Sequence, residues 1–106
     1  MLEFRFSIRA RDDLRDIGAY SVEKWGKARA SSYLDQLEDG CALVARNPGM
    51  ATTCDDVRPG YRRMPEGSHV LFFKLDERGL LVVRVLHKRM RPELHIEDSD
   101  EDEPEP

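Results

Sequence analysis

Nowhere does the chain hold a run of about 18 apolar residues, so no membrane-spanning helix is expected. Its start, Met1-Leu2-Glu3-Phe4-Arg5, lacks the charged-then-apolar plan of a secretory signal, and a soluble, cytoplasmic protein with no membrane partner is expected. Cysteine is scarce, with Cys41 and Cys54 the two present. A reducing cytosol keeps such thiols free, and both are expected to be structural. They have neither the spacing nor the histidine partners of a zinc site, so no metal or cofactor is expected. A length of 106 residues supports one modest core rather than two.

Charge is plentiful but unevenly placed. Glu97 to Pro106 holds seven of the 21 acidic residues and no base. The rest of the chain carries 17 basic and 14 acidic side chains, so the net charge of -4 conceals a cationic body. Arg58 to Arg91 alone has nine Lys or Arg against Glu66, Asp76 and Glu77, a basic surface suited to an acidic partner. The last ten residues are almost free of hydrophobes and cannot offset the entropy of ordering. A domain over 1–96 and a disordered acidic tail over 97–106 are therefore expected. That tail either solubilises the chain or folds intermittently over the basic face, weakening target binding by charge competition.

Leu2, Phe4, Phe6 and Ile8 alternate with polar residues, the period of a strand with one buried face. From Ala10 the period changes: Ala10, Leu14, Ile17, Ser21 and Trp25 make a helical stripe, with Ser7 as its cap and Gly26 as its stop. A second helix is expected from Lys27 to Arg46, striped by Ala30, Tyr33, Leu34, Leu37, Cys41 and Val44 and ended by Asn47-Pro48-Gly49. Gly40 should weaken it. Trp25 and Tyr33 are expected in the core or the interface of a helical hairpin. After a loop from Pro48 to Arg58, strands are expected over Tyr61–Met64, His69–Leu75 and Leu80–His87, joined by turns at Pro65-Glu66-Gly67 and Asp76-Glu77-Arg78-Gly79. The predicted class is α+β in the order β-α-α-β-β-β, a helical hairpin on one face of a small, mainly antiparallel sheet.

Several segments carry a resemblance. Ala10 to Tyr20 reads Ala-Arg-Asp-Asp-Leu-Arg-Asp-Ile-Gly-Ala-Tyr, and Trp25-Gly26 separates the helices. Ala45-Arg46-Asn47-Pro48 closes the second helix, and Val57-Arg58-Pro59-Gly60-Tyr61-Arg62 opens the sheet. Gly67-Ser68-His69-Val70-Leu71-Phe72-Phe73 marks a central strand, and Val82-Val83-Arg84-Val85-Leu86-His87-Lys88-Arg89-Met90 the last. In this order, from Phe6 to about Ile96, the chain resembles the ParE-type toxins of the RelE/ParE superfamily. The resemblance implies a toxin encoded beside a small antitoxin that wraps around it as a hetero-oligomer. ParE relatives poison DNA gyrase, whereas RelE relatives cut mRNA on the ribosome. One fold hosts both activities, so the choice rests on the site.

Metal-free RNA cleavage needs a base for the 2'-hydroxyl, cations for the phosphate, and an acid for the leaving oxygen. By resemblance, the RelE-type positions fall here on Arg62, Met64, His69, Arg89 and His95, and the two arginines alone keep a comparable cationic role. Met64 can neither move a proton nor stabilise an anion. The first expectation is therefore a non-catalytic gyrase poison. The alternative is a ribosome-dependent endoribonuclease using Arg62, Arg89 and His87 or His95, because an imidazole can serve as acid or base near neutral pH. His69 is expected to be structural. Residues expected to meet target or antitoxin are Arg58, Tyr61, Arg62, Arg63, Arg84, Lys88, Arg89, Met90 and Arg91. Strand alternation puts Arg84 with Val82 and Leu86 on the sheet side away from the helices. The competing reading is a solvated face, or salt bridges to Glu66, Asp76 and Glu93. Where ParE relatives continue with aspartate after the Met of the last strand, this chain has Arg91-Pro92. Either the stretch from Met90 to Ile96 contacts gyrase directly, or Leu94 and Ile96 pack back on the sheet.

Overall fold

A computed structural model describes residues 3–104. A strand, β1 (Phe4–Phe6), leads into two helices, α1 (Ile8–Trp25) and α2 (Lys27–Arg46). Strands β2 (Thr52–Thr53), β3 (Tyr61–Glu66), β4 (His69–Asp76) and β5 (Gly79–His87) follow. The sheet order is β1-β5-β4-β3-β2, with β1 parallel to β5 and the other pairs antiparallel. The expected α+β architecture is the observed one, with β2 added inside the segment expected to be a loop.

The first helix begins at Ile8 rather than Ala10. Ser7 Oγ accepts a hydrogen bond from Ala10 N at 2.9 Å and donates one to Val83 O at 2.7 Å, so one hydroxyl caps the helix and ties it to β5. Ile8, expected on the strand, is therefore helical and 44% exposed; Leu2 lies outside the described residues. Gly26, with φ +90°, turns the chain between the helices. Trp25, expected in the core or the hairpin interface, is 42% exposed, with Lys24 and Arg29 over its ring. Gly40 serves packing: a Cβ there would meet Glu66 Oε1 at 3.0 Å and Leu71 Cδ1 at 3.2 Å. The turn expected at Pro65-Glu66-Gly67 also shifts. β3 continues through Pro65, opposite Val70, where β2 no longer covers its outer flank, and Gly67, with φ +58°, makes the bend.

The sheet is packed on both faces, which is why β4 and β5 are apolar on both sides. Between the helices and the sheet pack Leu37, Cys41 and Val44 of α2 with Leu71, Phe73, Val82 and Val85 of the strands. On the far face lie Cys54, Tyr61, Phe72, Leu81, Val83, Leu86 and Ile96. A bulge breaks the alternation of β5: Phe72 pairs with Arg84 and Phe73 with Val82, leaving Val83 unmatched. Val82 and Leu86 thus fall in opposite cores, which corrects the expectation that they share a face. Ile96 packs back on the sheet. Both cysteines are free and buried, and burial pushes the Cys41 thiol up to about 12, so it stays protonated.

Residues 97–104 differ from the expected disordered tail. Asp98–Glu101 form a 3-10 turn in which Glu97 and Asp100 cap each other, and Asp102 O accepts a hydrogen bond from Ile8 N at 2.8 Å. The segment buries almost no apolar surface after Ile96. It is ordered instead by carboxylates meeting cations and by a free amide at the start of α1, a compensation that counting hydrophobes does not register. Glu105 and Pro106 lie outside the described residues.

Candidate functional site

Arg84 is the centre of the far face, and its side chain is only 4% exposed. Its Nε and Nη2 donate to Asp13 Oδ2 and Oδ1 at 2.7 and 3.0 Å, a bidentate pair with α1. Its Nη1 donates to His95 O at 2.6 Å and to Asp100 Oδ2 at 3.1 Å. Asp13 Oδ2 also accepts from Val85 N at 2.9 Å. Burial by itself would lower the guanidinium pKa; the Asp13 hydrogen bonds and charge outweigh it, and the pKa is raised. Arg84, expected to meet a partner, is therefore committed to internal bonds joining α1, β5 and the C-terminal segment. Asp13 and Asp100 were not marked by the sequence, because no periodicity distinguishes them from the other acidic residues of their segments.

Around this centre the acidic segment crosses the sheet. Glu101 accepts from Lys74 Nζ at 2.6 Å and from Tyr61 OH at 2.8 Å. Glu103 pairs with Arg5 at 2.7 Å and with Arg78 at 3.5 Å, while Asp98 pairs with Arg58. Arg5 also pairs with Asp76 at 2.6 Å. Tyr61 is buried among the far-face hydrophobes, and burial followed by its Glu101 partner raises its pKa. Of the residues expected to contact partners, Arg58 and Tyr61 thus face this chain's own C-terminal segment.

The rest of that set divides. Arg63, Lys88, Arg89 and Met90 are exposed, and among the described residues no carboxylate pairs with those three cations. Arg63, Phe72, Leu86, Lys88 and Met90 line a hollow of about 290 Å³. Arg91 pairs with Glu93 at 3.0 Å.

The nuclease positions are only partly brought together: Arg89 N donates to His87 Nδ1 at 3.1 Å, and the others lie apart. Arg62 Nη1 donates to Ala51 O at 3.0 Å and Pro48 O at 3.4 Å, and Arg62 alternates with the far-face Tyr61, which puts it on the helix side with Met64. His95 belongs to the far face, where its carbonyl binds Arg84 and its neighbour Ile96 is buried. His87 sits at the end of β5, its ring 5.4 Å from that of His69. Tyr33 OH lies 2.5 Å from His69 Nδ1 and accepts from Ser68 N at 3.0 Å. Burial, then His87, lowers the His69 pKa, which favours the neutral ring, and one proton is shared between the Tyr33 hydroxyl and His69 Nδ1 in this contact. Tyr33, His69 and His87 line a cavity of about 350 Å³ with Trp25, Tyr20 and Lys24, well separated in sequence and invisible as a motif.

The acidic segment carries a pH signature. Arg5 hydrogen bonds hold Asp76 and Glu103 below the usual carboxylate range. Burial works against ionised Glu101, but its Lys74 and Tyr61 hydrogen bonds outweigh it, and its pKa is also lowered. Groups depressed on folding stabilise fully above their ordinary values, 3.8 for Asp and 4.5 for Glu, and lose that contribution as pH falls through the folded values. The gap in melting temperature between the wild-type chain and Glu101→Gln is thus expected to shrink as pH drops below about 4.5. A gap that stays constant between neutral and acid pH would contradict the pairing.

A family model described as the ParE toxin of the type II toxin-antitoxin system parDE matches residues 4–92. The chain belongs to the ParE toxin family. Toxin ParE1 of Caulobacter vibrioides is 38% identical over 96 residues, 91% of this chain and 99% of that one. Toxin ParE1 of Mycobacterium tuberculosis is 40% identical over 82 residues, 76% of this chain and 84% of that one. Toxin ParE of Escherichia coli is 34% identical over 92 residues, covering 85% and 88%. A solved structure titled as the chromosomal ParDE system from P. aeruginosa shares the fold, with a TM-score of 0.72, 15% identity, and coverage of 82% of this chain and 96% of that one. The ParE model ends at residue 92, so the acidic segment of this ParE-family chain lies beyond it.

Proposed function

We propose that this chain is the toxin of a type II pair, that it inhibits DNA gyrase by binding without covalent chemistry of its own, and that a ParD-like antitoxin neutralises it in a hetero-oligomer. The observation that carries the non-catalytic part is that Arg62 is held by the Ala51 and Pro48 carbonyls on the helix side while His95 lies on the far face, so the Arg62–His95 form of a nuclease site is not assembled. The family match supports the toxin role, and the gyrase target is the family expectation carried onto this chain. Arg63, Lys88 and Arg89, exposed beside Met90, form the surface suited to the nucleic-acid-laden gyrase complex.

Purified protein in a gyrase supercoiling and DNA-cleavage assay tests this. The wild-type chain is expected to inhibit supercoiling and accumulate cleaved DNA. Arg63→Glu/Lys88→Glu/Arg89→Glu is expected to need at least about tenfold more protein for the same effect, as removal of several phosphate-facing charges does. Unaffected gyrase at every concentration, together with transcript cuts mapped after induction, would replace this reading with the ribosome-dependent nuclease.

A further inference from the structure

The cations under the acidic segment come from separate parts of the chain: Arg5 from β1, Arg58 from the loop before β3, Lys74 from β4 and Arg78 from the β4–β5 turn. Folding aligns them into a track across the far face, and Asp98, Glu101 and Glu103 lie along it in sequence order. The track therefore fits a short chain that makes one 3-10 turn and carries carboxylates two and three residues apart. Its pairs are partly open to solvent, Asp98 being 91% exposed, so each is of the weak, salt-screened kind that a competitor can replace. The firm attachments lie elsewhere: Ile96 in the far core and Asp100 on Arg84. The segment begins beyond the end of the ParE family model, so the occupant is an addition to the matched domain.

We propose that the Arg5, Arg58, Lys74 and Arg78 track is a docking site for a short acidic segment of a partner protein, and that Asp98, Glu101 and Glu103 occupy it in cis as a strap whose carboxylates the partner must displace. Charge complementarity and the seated segment name the occupant's chemistry. The inference does not depend on gyrase as the target.

The full-length chain carrying Asp98→Asn, Glu101→Gln and Glu103→Gln keeps Ile96 and Asp100 but loses the strap's carboxylates on the track. The probe is a fluorescent synthetic peptide with the sequence of residues 96–104, followed by anisotropy, while hydrogen exchange at the Ile8 amide, which bonds Asp102 O, reports strap release. The triple variant is expected to exchange faster at Ile8 and to bind the peptide at least tenfold more tightly than wild type, with a difference that fades as salt rises. Adding Lys74→Glu and Arg78→Glu should abolish the gain. Equal peptide binding by wild type and variant overturns cis competition, a released strap without peptide binding overturns the docking site, and unchanged exchange overturns the holding role of the ion pairs. Should the triple variant misfold, Glu103→Gln alone is expected to give a smaller gain of the same sign, and no gain there overturns the proposal. Gyrase inhibition is read separately, so failure of the target reading leaves this result standing.

Discussion

Arg84→Met is expected to destabilise the folded chain by about 3–5 kcal/mol, the cost of removing one partner from a buried ion pair. The substitution leaves Asp13 and Asp100, with side chains 11% and 6% exposed, as buried carboxylates without their cation. It also unlatches three elements at once, because the guanidinium joins α1, β5 and the C-terminal segment. Asp13→Leu on the same background should recover part of the loss, since a buried pair replaced on both sides by apolar groups is often near neutral. Recovery stays incomplete because Asp13 also accepts from Val85 N. Urea unfolding of the single and double variants measures both effects. A loss below about 1 kcal/mol for Arg84→Met would mean that the cluster does not hold the fold as described.

Gly79→Ala is expected to cost about 2–4 kcal/mol, from strain and collision together. Gly79 has φ +120°, and a Cβ there would stand 2.5 Å from Glu3 O. That carbonyl accepts the Leu80 amide at 2.9 Å, so the collision falls on the start of the parallel β1–β5 pairing. Gly60→Ala is the control: its φ is +83° but nothing lies within 4 Å of its Cβ, so conformational strain alone, about 1–2 kcal/mol, is expected. In a domain of this size each kcal/mol moves the melting temperature by about 4–8 °C, which thermal unfolding by circular dichroism resolves. Equal shifts for the two variants would remove the backbone collision as a cause.

Those two positions also mark the limit of what local pattern reveals. The helices, their junction at Gly26 and the three long strands were legible because amphipathic periods and turn residues are local signals. The Ser7 cap was legible for the same reason. β2 was not, as two exposed threonines make no period of their own. The fate of Arg84 was not, because one bulge shifts the alternation and because its main partner is 71 residues away. Among the site candidates, Arg58 and Tyr61 were legible as chemistry but not as residues turned towards the chain's own carboxylates.

By itself, the sequence determined the α+β class, the element order and the ParE likeness, because these follow from residue types at fixed short spacings. Only the tertiary structure decided which cations stay free and which are already answered, and that the acidic end lies across the sheet instead of trailing in solvent. Charge pairing depends on distance in space, and the strands that bring Arg5, Lys74 and Arg84 near residues 98–103 are far apart along the chain.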